Sequence, residues 1–313
     1  HVSTLAGKDP VKARRLLLTG YRANTLMLKH TTQNQPSCRG EGAITLMKLM
    51  IEALSHPQNA AMVSLFIPCE PLLAAGITPY SVESIAAYLL GTHCETPFQE
   101  LAAEQGMPET LCSYHRTFFG AATNGLIPPP AFMLYTNLAC DGNMITFPAL
   151  QDQFAIPSFF IDVPCDHTED AVADVAGQLR EMVTFIEDTT HQKIDPAALK
   201  KAVRRTRLSQ TYYQTALAVS KKRRLPGSVT DEMYTALMGR CMLGSPQALD
   251  FFCTMARDIS EQPVFTGKRL VWIHLIPNMQ PALRQIMNDN PSVCITGLEL
   301  CYDSMLIPAD END

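Results

Sequence analysis

Four short apolar runs alternate with helical patterns between residues 60 and 164, and this alternation constrains the fold more than any other feature of the chain. The predicted strands cover residues 62–67, 77–82, 132–138 and 158–163. One of the intervening helices, predicted over residues 70–75, stops at Gly76, because glycine favours helix termination. Strands that alternate with helices form parallel sheets, so the sequence predicts an α/β protein.

The rest of the chain is mainly helical. Residues 8–56 carry helical apolar spacing with a polar break at 31–42. Helices are also predicted over residues 171–187, 196–217, 228–243 and 247–259. A strand at 269–274, a helix at 281–287 and a strand at 292–295 then indicate a return to strand–helix alternation.

These patterns divide the chain into four segments. We expect an N-terminal helical segment at 1–58, an α/β domain at 59–168, a helical connector at 169–262 and the start of a second α/β domain at 263–313. One strand–helix–strand unit cannot bury a core by itself. We therefore expect the second domain to be incomplete in these residues.

Composition excludes two broad classes of protein. The formal net charge of −6 argues against nucleic-acid binding, which depends on a basic surface. No apolar run approaches the roughly 20 residues that span a bilayer, and no signal peptide opens the chain. We expect a cytoplasmic protein that binds neither nucleic acid nor membrane.

Cysteine is the residue type that points to chemistry. The ten cysteines include no closely spaced pair, which excludes a zinc ribbon or a thioredoxin-type motif. A chain of this size needs no disulfide staples, so free thiols in a reducing compartment are expected. Cys112 precedes a predicted helix, and Cys140 follows a predicted strand in a Cys-Asp-Gly turn. Thiolates at such positions bind iron–sulfur clusters, although a buried cysteine is more often a small hydrophobic side chain.

Several motifs in the same order resemble one known family. They are Pro68-Cys69-Glu70-Pro71-Leu72-Leu73-Ala74-Ala75-Gly76, Cys112-Ser113, Cys140-Asp141-Gly142, Phe147-Pro148-Ala149-Leu150, and Ile156-Pro157-Ser158-Phe159-Phe160-Ile161-Asp162-Val163-Pro164. The chain is similar over roughly residues 60–300 to the 2-hydroxyacyl-CoA dehydratase and benzoyl-CoA reductase family. That resemblance implies two Rossmann-like parallel-sheet domains joined by a helical connector.

The resemblance also implies a cofactor, a substrate class and partners. Subunits of this family hold a [4Fe–4S] cluster, or in some members a larger iron–sulfur cluster, through three cysteines. By position, Cys112 and Cys140 match the first two ligands. The third family ligand comes from later in the second domain, and Cys301 falls earlier than that position. The substrate is a CoA thioester, and the implied partners are an ATP-dependent iron–sulfur activator and a related subunit in a homo- or heterodimer.

Other residues have both functional and structural interpretations. Glu70 occupies the glutamate of the Pro-x-Glu segment, where an acid/base group is expected, but a negative charge also suits the first turn of a helix. Cys69 is an additional thiol near the predicted cluster or a buried hydrophobe. His115 is expected to hydrogen-bond a neighbour rather than to act in catalysis. The basic cluster at 221–224 is read as a solvated helix end, with contact to a CoA phosphate or to the activator as the alternative.

Three functions compete at this point. The first is the iron–sulfur subunit of a 2-hydroxyacyl-CoA dehydratase, a lyase that removes water through a radical after one-electron activation. The second is a reductase of the same family, acting on benzoyl-CoA or another small molecule. The third is a cluster-bearing electron-transfer or scaffold subunit whose partner performs the chemistry.

Overall fold

The structure, a computed structural model, describes residues 2–34, 37–227, 229–275, 281–288, 290–302 and 305. The chain forms two compact units. The first comprises His1–Ala23 and Lys48–Asp195, and the second comprises Asn24–Met47 and Pro196–Asp313. Helices α2 (Pro10–Asn34) and α3 (Cys38–Ser55) contribute residues to both units. The four predicted segment boundaries remain predictions.

The first unit is built on a parallel sheet. Its strands are β1 (Ala60–Val63), β2 (Thr78–Ser81), β3 (Phe132–Thr136) and β4 (Ser158–Ile161). They lie in the order β2-β1-β3-β4, and every neighbouring pair is parallel. All residues of β1 and β3 are buried. Such continuous apolar strands are typical of parallel sheets that are covered on both faces.

Helices connect and cover these strands. Those of the first unit, besides its parts of α2 and α3, are α1 (Val2–Ala6), α4 (Glu70–Ala74), α5 (Val82–Leu90), α6 (Glu95–Glu104), α7 (Ser113–Thr123), α8 (Asn143–Phe154) and α9 (Glu169–Thr190). Helix α5 begins with a reciprocal capping box between Ser81 and Ser84, and the Thr168 side chain caps α9. Phe118, Phe132 and Phe147 are among the largest fully buried side chains of this unit.

The second unit is mainly helical. Its own helices are α10 (Pro196–Ser220), α11 (Glu232–Met238), α12 (Pro246–Ser260), α13 (Pro281–Leu283) and α14 (Glu299–Tyr302). Strands β5 (Lys268–Trp272) and β6 (Val293–Leu298) form a separate parallel pair. Residues Lys268–Val271 of β5 are exposed, whereas β6 is largely buried.

The structure confirms the predicted α/β class with an N-terminal helical segment. Several predicted boundaries are wrong. The strand predicted over 62–67 is β1 at Ala60–Val63. At Ser64 the side chain, rather than the backbone carbonyl, accepts the hydrogen bond from the Thr136 N–H of the neighbouring strand β3, and the chain then turns. The helix predicted over 228–243 is only a 3-10 turn at Val229–Asp231 followed by α11. The predicted helix at 281–287 is α13 followed by a π-helical turn at Arg284–Asn288.

Two further elements differ from the sequence expectation. The polar break between the first long helices is shorter than predicted, since α2 extends to Asn34 and α3 begins at Cys38. Helix α8 was not predicted from the sequence; it contains Pro148, which disfavours a helix interior, and it packs against β3. Within the described residues, no helix has the length and apolarity required to cross a membrane.

Candidate functional site

The carboxyl edge of the four-stranded sheet brings the candidate residues together. Strand β1 lies between β2 and β3, so the order in which the chain adds strands reverses between β1 and β3. Loops that follow two such strands diverge to opposite faces of a sheet and leave a crevice, which is where open α/β sheets bind ligands. The loop after β1 leads to Glu70, and the loop after β3 carries Cys140.

Hydrogen bonds hold the two loop starts together at this crevice. The Thr136 N–H donates to Ser64 Oγ at 3.2 Å, and the Ser64 N–H donates to the Leu134 carbonyl at 3.0 Å. Asn143 is fully buried, and its side-chain amide donates to the Thr136 carbonyl at 3.1 Å. These bonds fix the end of β3 relative to β1 and to the start of α8.

Cys140 lies in a constrained turn between β3 and α8. The preceding Ala139 has a φ of +60°, a left-handed conformation that non-glycine residues rarely adopt. The Asn143 N–H donates to the Cys140 carbonyl at 3.1 Å and closes the turn. The cysteine itself is half-buried with a free thiol. This turn places a partly accessible sulfur at the edge of the sheet. Backbone strain of the kind seen at Ala139 is frequent at functional sites.

Cys112 lies at the N-terminus of α7, immediately before Ser113. Its thiol is half-buried, and the side chain makes no capping hydrogen bond. The positive end of the helix dipole favours a negative charge at this position, and a thiolate is such a charge. Cys112 is also close enough to Cys140 to act on it electrostatically. The structure thus brings together two thiols that are far apart in the sequence.

His115, in the first turn of α7, links the two cysteine segments. Its Nε2 atom lies 3.4 Å from Cys140 Sγ, and its Nδ1 atom lies 2.9 Å from Thr146 Oγ1 in α8. Its side chain is fully buried. Burial lowers the pKa of His115 to about 4, so the imidazole is neutral near pH 7.

Glu83, in the first turn of α5, faces the same imidazole. Its Oε1 atom lies 3.9 Å from His115 Nε2, and its Oε2 atom is buried with no hydrogen-bond partner among the described residues. Burial raises the pKa of Glu83 to about 7, and hydrogen bonds from its own backbone and from the Ser81 side chain act in the opposite direction. A carboxyl group and an imidazole, both shifted toward their neutral forms, therefore lie beside Cys140.

The Cys140 thiol is shifted toward its protonated form. Burial raises its pKa most, and the nearby Glu83 and Cys112 raise it further. The backbone N–H groups of Gly142 and Asn143 lower it but do not outweigh burial. Since a metal binds the thiolate, Cys140 would lose a proton when a metal binds.

The two thiols fit two ligand positions of an iron–sulfur cluster. Both are soft, partly accessible donors, and Cys112 is near enough to act electrostatically on Cys140. In the part of the chain that the structure describes, no group of three or more His, Cys, Asp and Glu side chains is arranged to hold a metal ion. The fit therefore covers two ligands, and that Cys112 and Cys140 bind a cluster remains a prediction.

The other predicted residues lie either at the start of α4 or in the second unit. Cys69 is buried at the start of α4, and its thiol donates to the Ile67 carbonyl at 3.4 Å. Glu70 is the first residue of α4 and is half-buried. Cys301 is buried in the second unit, where its thiol donates to the Glu232 carbonyl at 3.5 Å. In the basic cluster, Arg224 stacks on the Phe265 ring at 4.3 Å.

Sequence reasoning missed Glu83 and Thr146. Glu83 is the one charged residue in an otherwise small and apolar stretch at residues 81–87, which is a weak signal of a buried carboxyl group. Thr146 lies in α8, a helix that the sequence did not predict. Neither residue is near His115 in sequence, so only the packing of α5, α7 and α8 shows that they meet.

The comparison with known families agrees with the family resemblance seen in the sequence. The sequence profile of the family described as 2-hydroxyglutaryl-CoA dehydratase, D-component, matches residues 64–313, which is well over half of the chain. The chain therefore belongs to this family of dehydratase-type enzyme subunits, as the sequence motifs predicted. Among curated proteins, none matches the chain.

Proposed function

We propose that this chain is the iron–sulfur subunit of a 2-hydroxyacyl-CoA dehydratase-type enzyme, a lyase that removes water from a CoA thioester. Its cofactor is a [4Fe–4S] cluster or a larger iron–sulfur cluster, bound by Cys112 and Cys140. The observation that carries the proposal is that Cys112 is near enough to the half-buried Cys140 to act on it electrostatically at the crevice of the sheet, where His115 Nε2 lies 3.4 Å from Cys140 Sγ. Membership of the dehydratase family supports the reaction class.

When bound, the cluster would supply one electron to the thioester carbonyl and so enable a radical elimination of water. The chain contributes ligands, a fixed geometry and an acid/base group. Ala139 and the hydrogen bonds at Thr136 fix the direction of Cys140. Glu70 is the proposed acid/base residue, because it starts α4 beyond the β1 end of the same crevice.

The proposed partners are an ATP-dependent iron–sulfur activator and a related subunit in a homo- or heterodimer, within an anaerobic cytoplasm. Support for a docked partner comes from exposed apolar side chains on both sides of Cys140. Leu138 is 43% exposed, Met144 41% and Ile145 43%. Contiguous exposed apolar side chains commonly mark interaction sites, and covering them would also exclude water from the cluster.

An electron-transfer or scaffold subunit is the second candidate. Among the described residues, no group of three or more His, Cys, Asp and Glu side chains is arranged to hold a metal ion, which suits a chain that shares its cluster with other residues. A reductase of the same family would use the same two thiols and differs in its substrate.

Anaerobic purification tests the proposal. We expect iron, acid-labile sulfide and a charge-transfer absorbance that bleaches on reduction. Turnover with a 2-hydroxyacyl-CoA, ATP and a family activator distinguishes the dehydratase from the other two candidates. A protein with iron but no dehydration under these conditions favours the reductase or the electron-transfer subunit, and a protein without iron contradicts the proposal.

Glu70→Gln tests the acid/base role. We expect a full iron content and a turnover reduced by about 100-fold or more, because only proton transfer is removed. Glu100→Gln, at an exposed position of α6, is the matched control and should retain turnover. Loss of iron in Glu70→Gln would instead make Glu70 a structural residue.

A further inference from the structure

His115 has both ring nitrogens committed to named neighbours. Nε2 lies 3.4 Å from Cys140 Sγ, within hydrogen-bonding distance for sulfur, whereas the nearest Glu83 oxygen is 3.9 Å from the same nitrogen. Nδ1 lies 2.9 Å from Thr146 Oγ1. The sulfur is therefore the neighbour that Nε2 bonds.

The Cys140 thiolate determines which nitrogen of His115 carries the proton, and the Thr146 hydroxyl can adapt to either choice. A neutral imidazole has one N–H donor and one acceptor nitrogen, and a threonine hydroxyl can serve as either donor or acceptor. A thiolate only accepts, so opposite a thiolate the proton must be on Nε2. Nδ1 then accepts a hydrogen bond from the Thr146 hydroxyl. Both contacts are satisfied in this arrangement, with no charge on the ring.

Close packing keeps the ring in this position. His115 is fully buried, and it lies directly against the backbone of Gly142 in the Cys-Asp-Gly turn. A Cβ atom at residue 142 would be 3.0 Å from His115 Cδ2 and 3.1 Å from Nε2. The absence of a side chain at Gly142 therefore allows the imidazole to reach the sulfur of Cys140.

We infer that His115 is a positioning residue that donates its Nε2–H to the Cys140 thiolate, orients that sulfur and tunes the group bound to it. The inference deepens the proposed function and rests on it for the identity of that group. It extends a general property of metal sites, because hydrogen bonds to cluster sulfurs influence the reduction potential and outer residues orient the ligands.

The first test needs no metal. In the metal-free, reduced full-length chain, the rate at which iodoacetamide alkylates Cys140 is followed against pH by peptide mass spectrometry, with Cys112 as the internal reference. We expect His115→Leu to slow the alkylation of Cys140 about tenfold near pH 8, because the donor that stabilises the thiolate is lost. His115→Gln, which keeps an N–H donor, should restore most of the rate.

The second test uses the cluster. After anaerobic reconstitution with iron and sulfide, the midpoint potential is measured by redox titration. We expect His115→Leu to shift the potential in the negative direction, Thr146→Val to shift it less, and His115→Gln to remain near the wild type. Thr123→Val, at the far end of the same helix, is the matched control and should leave the potential unchanged.

The outcomes separate this inference from the proposed function. Wild-type protein that binds no iron contradicts the proposed function, while a slower Cys140 alkylation in His115→Leu still supports the hydrogen bond. Unchanged alkylation and an unchanged potential in His115→Leu overturn the inference, even if iron is present. If His115→Leu loses its iron, retention in His115→Gln supports the inference, and loss in both variants overturns it.

Discussion

The second unit buries Arg39 against Glu232, whereas the first unit buries His115 beside Glu83 without a hydrogen bond between them. The Arg39 and Glu232 side chains are 11% and 3% exposed, form an ion pair, and the Thr235 hydroxyl donates to the same carboxylate at 2.8 Å. In the first unit, burial instead shifts the pKa of both His115 and Glu83 toward the neutral form.

The difference separates a structural use of buried polar groups from a functional one. The ion pair of Arg39 and Glu232 neutralises two largely buried charges and so joins α3 to α11. In the first unit, the buried Oε2 atom of Glu83 has no hydrogen-bond partner among the described residues, and perturbed pKa values beside half-buried thiols are typical of functional sites.

The largest contrast is between two cysteines, one in each unit. We expect Cys140→Ser to lose its iron absorbance and all activity, because a hydroxyl is a poor ligand for soft iron. Cys301→Ser should keep both, since that thiol is buried and bonded to the Glu232 carbonyl. Iron and sulfide analysis with visible spectra measures the outcome. Full iron in Cys140→Ser removes the central assignment, and iron loss in Cys301→Ser would make the second unit part of the site.

Packing, rather than charge, holds the site residues of the first unit. A Cβ atom at Gly120 in α7 would lie 1.9 Å from the Phe98 carbonyl oxygen of α6. We expect Gly120→Ala to destabilise the fold by about 4 kcal/mol or to prevent folding, because a backbone atom must move. Gly177→Ala is the control in α9, where a Cβ meets nothing within 4 Å, and it should stabilise by up to about 1 kcal/mol. Denaturant unfolding measures both, and equal effects would refute the packing argument.

A largely buried ion pair joins α3 to α11 in the second unit, and its disruption should be costly only when one partner remains. We expect Arg39→Met to lower the free energy of unfolding by about 3 kcal/mol, because Glu232 is left buried and unpaired. The double variant Arg39→Met with Glu232→Met should recover most of this loss. Guanidinium unfolding of the single and double variants gives the coupling. If the double variant loses as much free energy of unfolding as the two single variants lose together, the ion pair is not the source of the effect.

The smallest effect is a change in the pH dependence of stability of the metal-free protein. The pKa of Glu83 is raised from 4.5 to about 7, so its contribution to stability is present below pH 4.5 and is lost as the pH rises toward 7. The pKa of His115 is lowered from 6.5 to about 4, so its contribution is present above pH 6.5 and is lost as the pH falls toward 4. The two contributions oppose each other where their pH ranges overlap.

The variant Glu83→Gln removes the contribution of Glu83 to the pH dependence of stability and leaves that of His115. We expect the wild type to lose stability relative to the variant between about pH 4.5 and 7, and to show no such relative change below that range. Denaturant midpoints measured across this range test the sign, and the exposed Glu100→Gln serves as the reference. A relative gain of wild-type stability with rising pH would mean that Glu83 is charged and paired in the folded protein.

Much of the fold could be predicted because the relevant signals are local. Continuous apolar runs identified the positions of β1–β4, and the strand–helix alternation gave the parallel α/β class. Gly76 and Cys112 marked a helix end and a helix start in agreement with the structure. The motifs between Pro68 and Pro164 were sufficient to indicate the family to which residues 64–313 belong.

Tertiary structure decided the details of individual elements. Strand β1 ends before Ser64 because that side chain bonds the neighbouring strand, which no local pattern encodes. Helix α8 continues through Pro148 because packing on the sheet outweighs the weak local propensity. The apolar residues of β5 remain exposed although their sequence resembles that of the buried strands, since burial depends on the layers around a strand.

The candidate site shows the same division. From the sequence, Cys112, Cys140 and Glu70 are predicted as site residues because they lie at element boundaries and match the motifs of the family, and this assignment stays a prediction. Only the strand order β2-β1-β3-β4 brings Glu83, His115 and Cys140 to one edge of the sheet. Their contacts join residues from three separate strand–helix connections, and such long-range contacts are set by how the sheet assembles rather than by the local sequence around each residue.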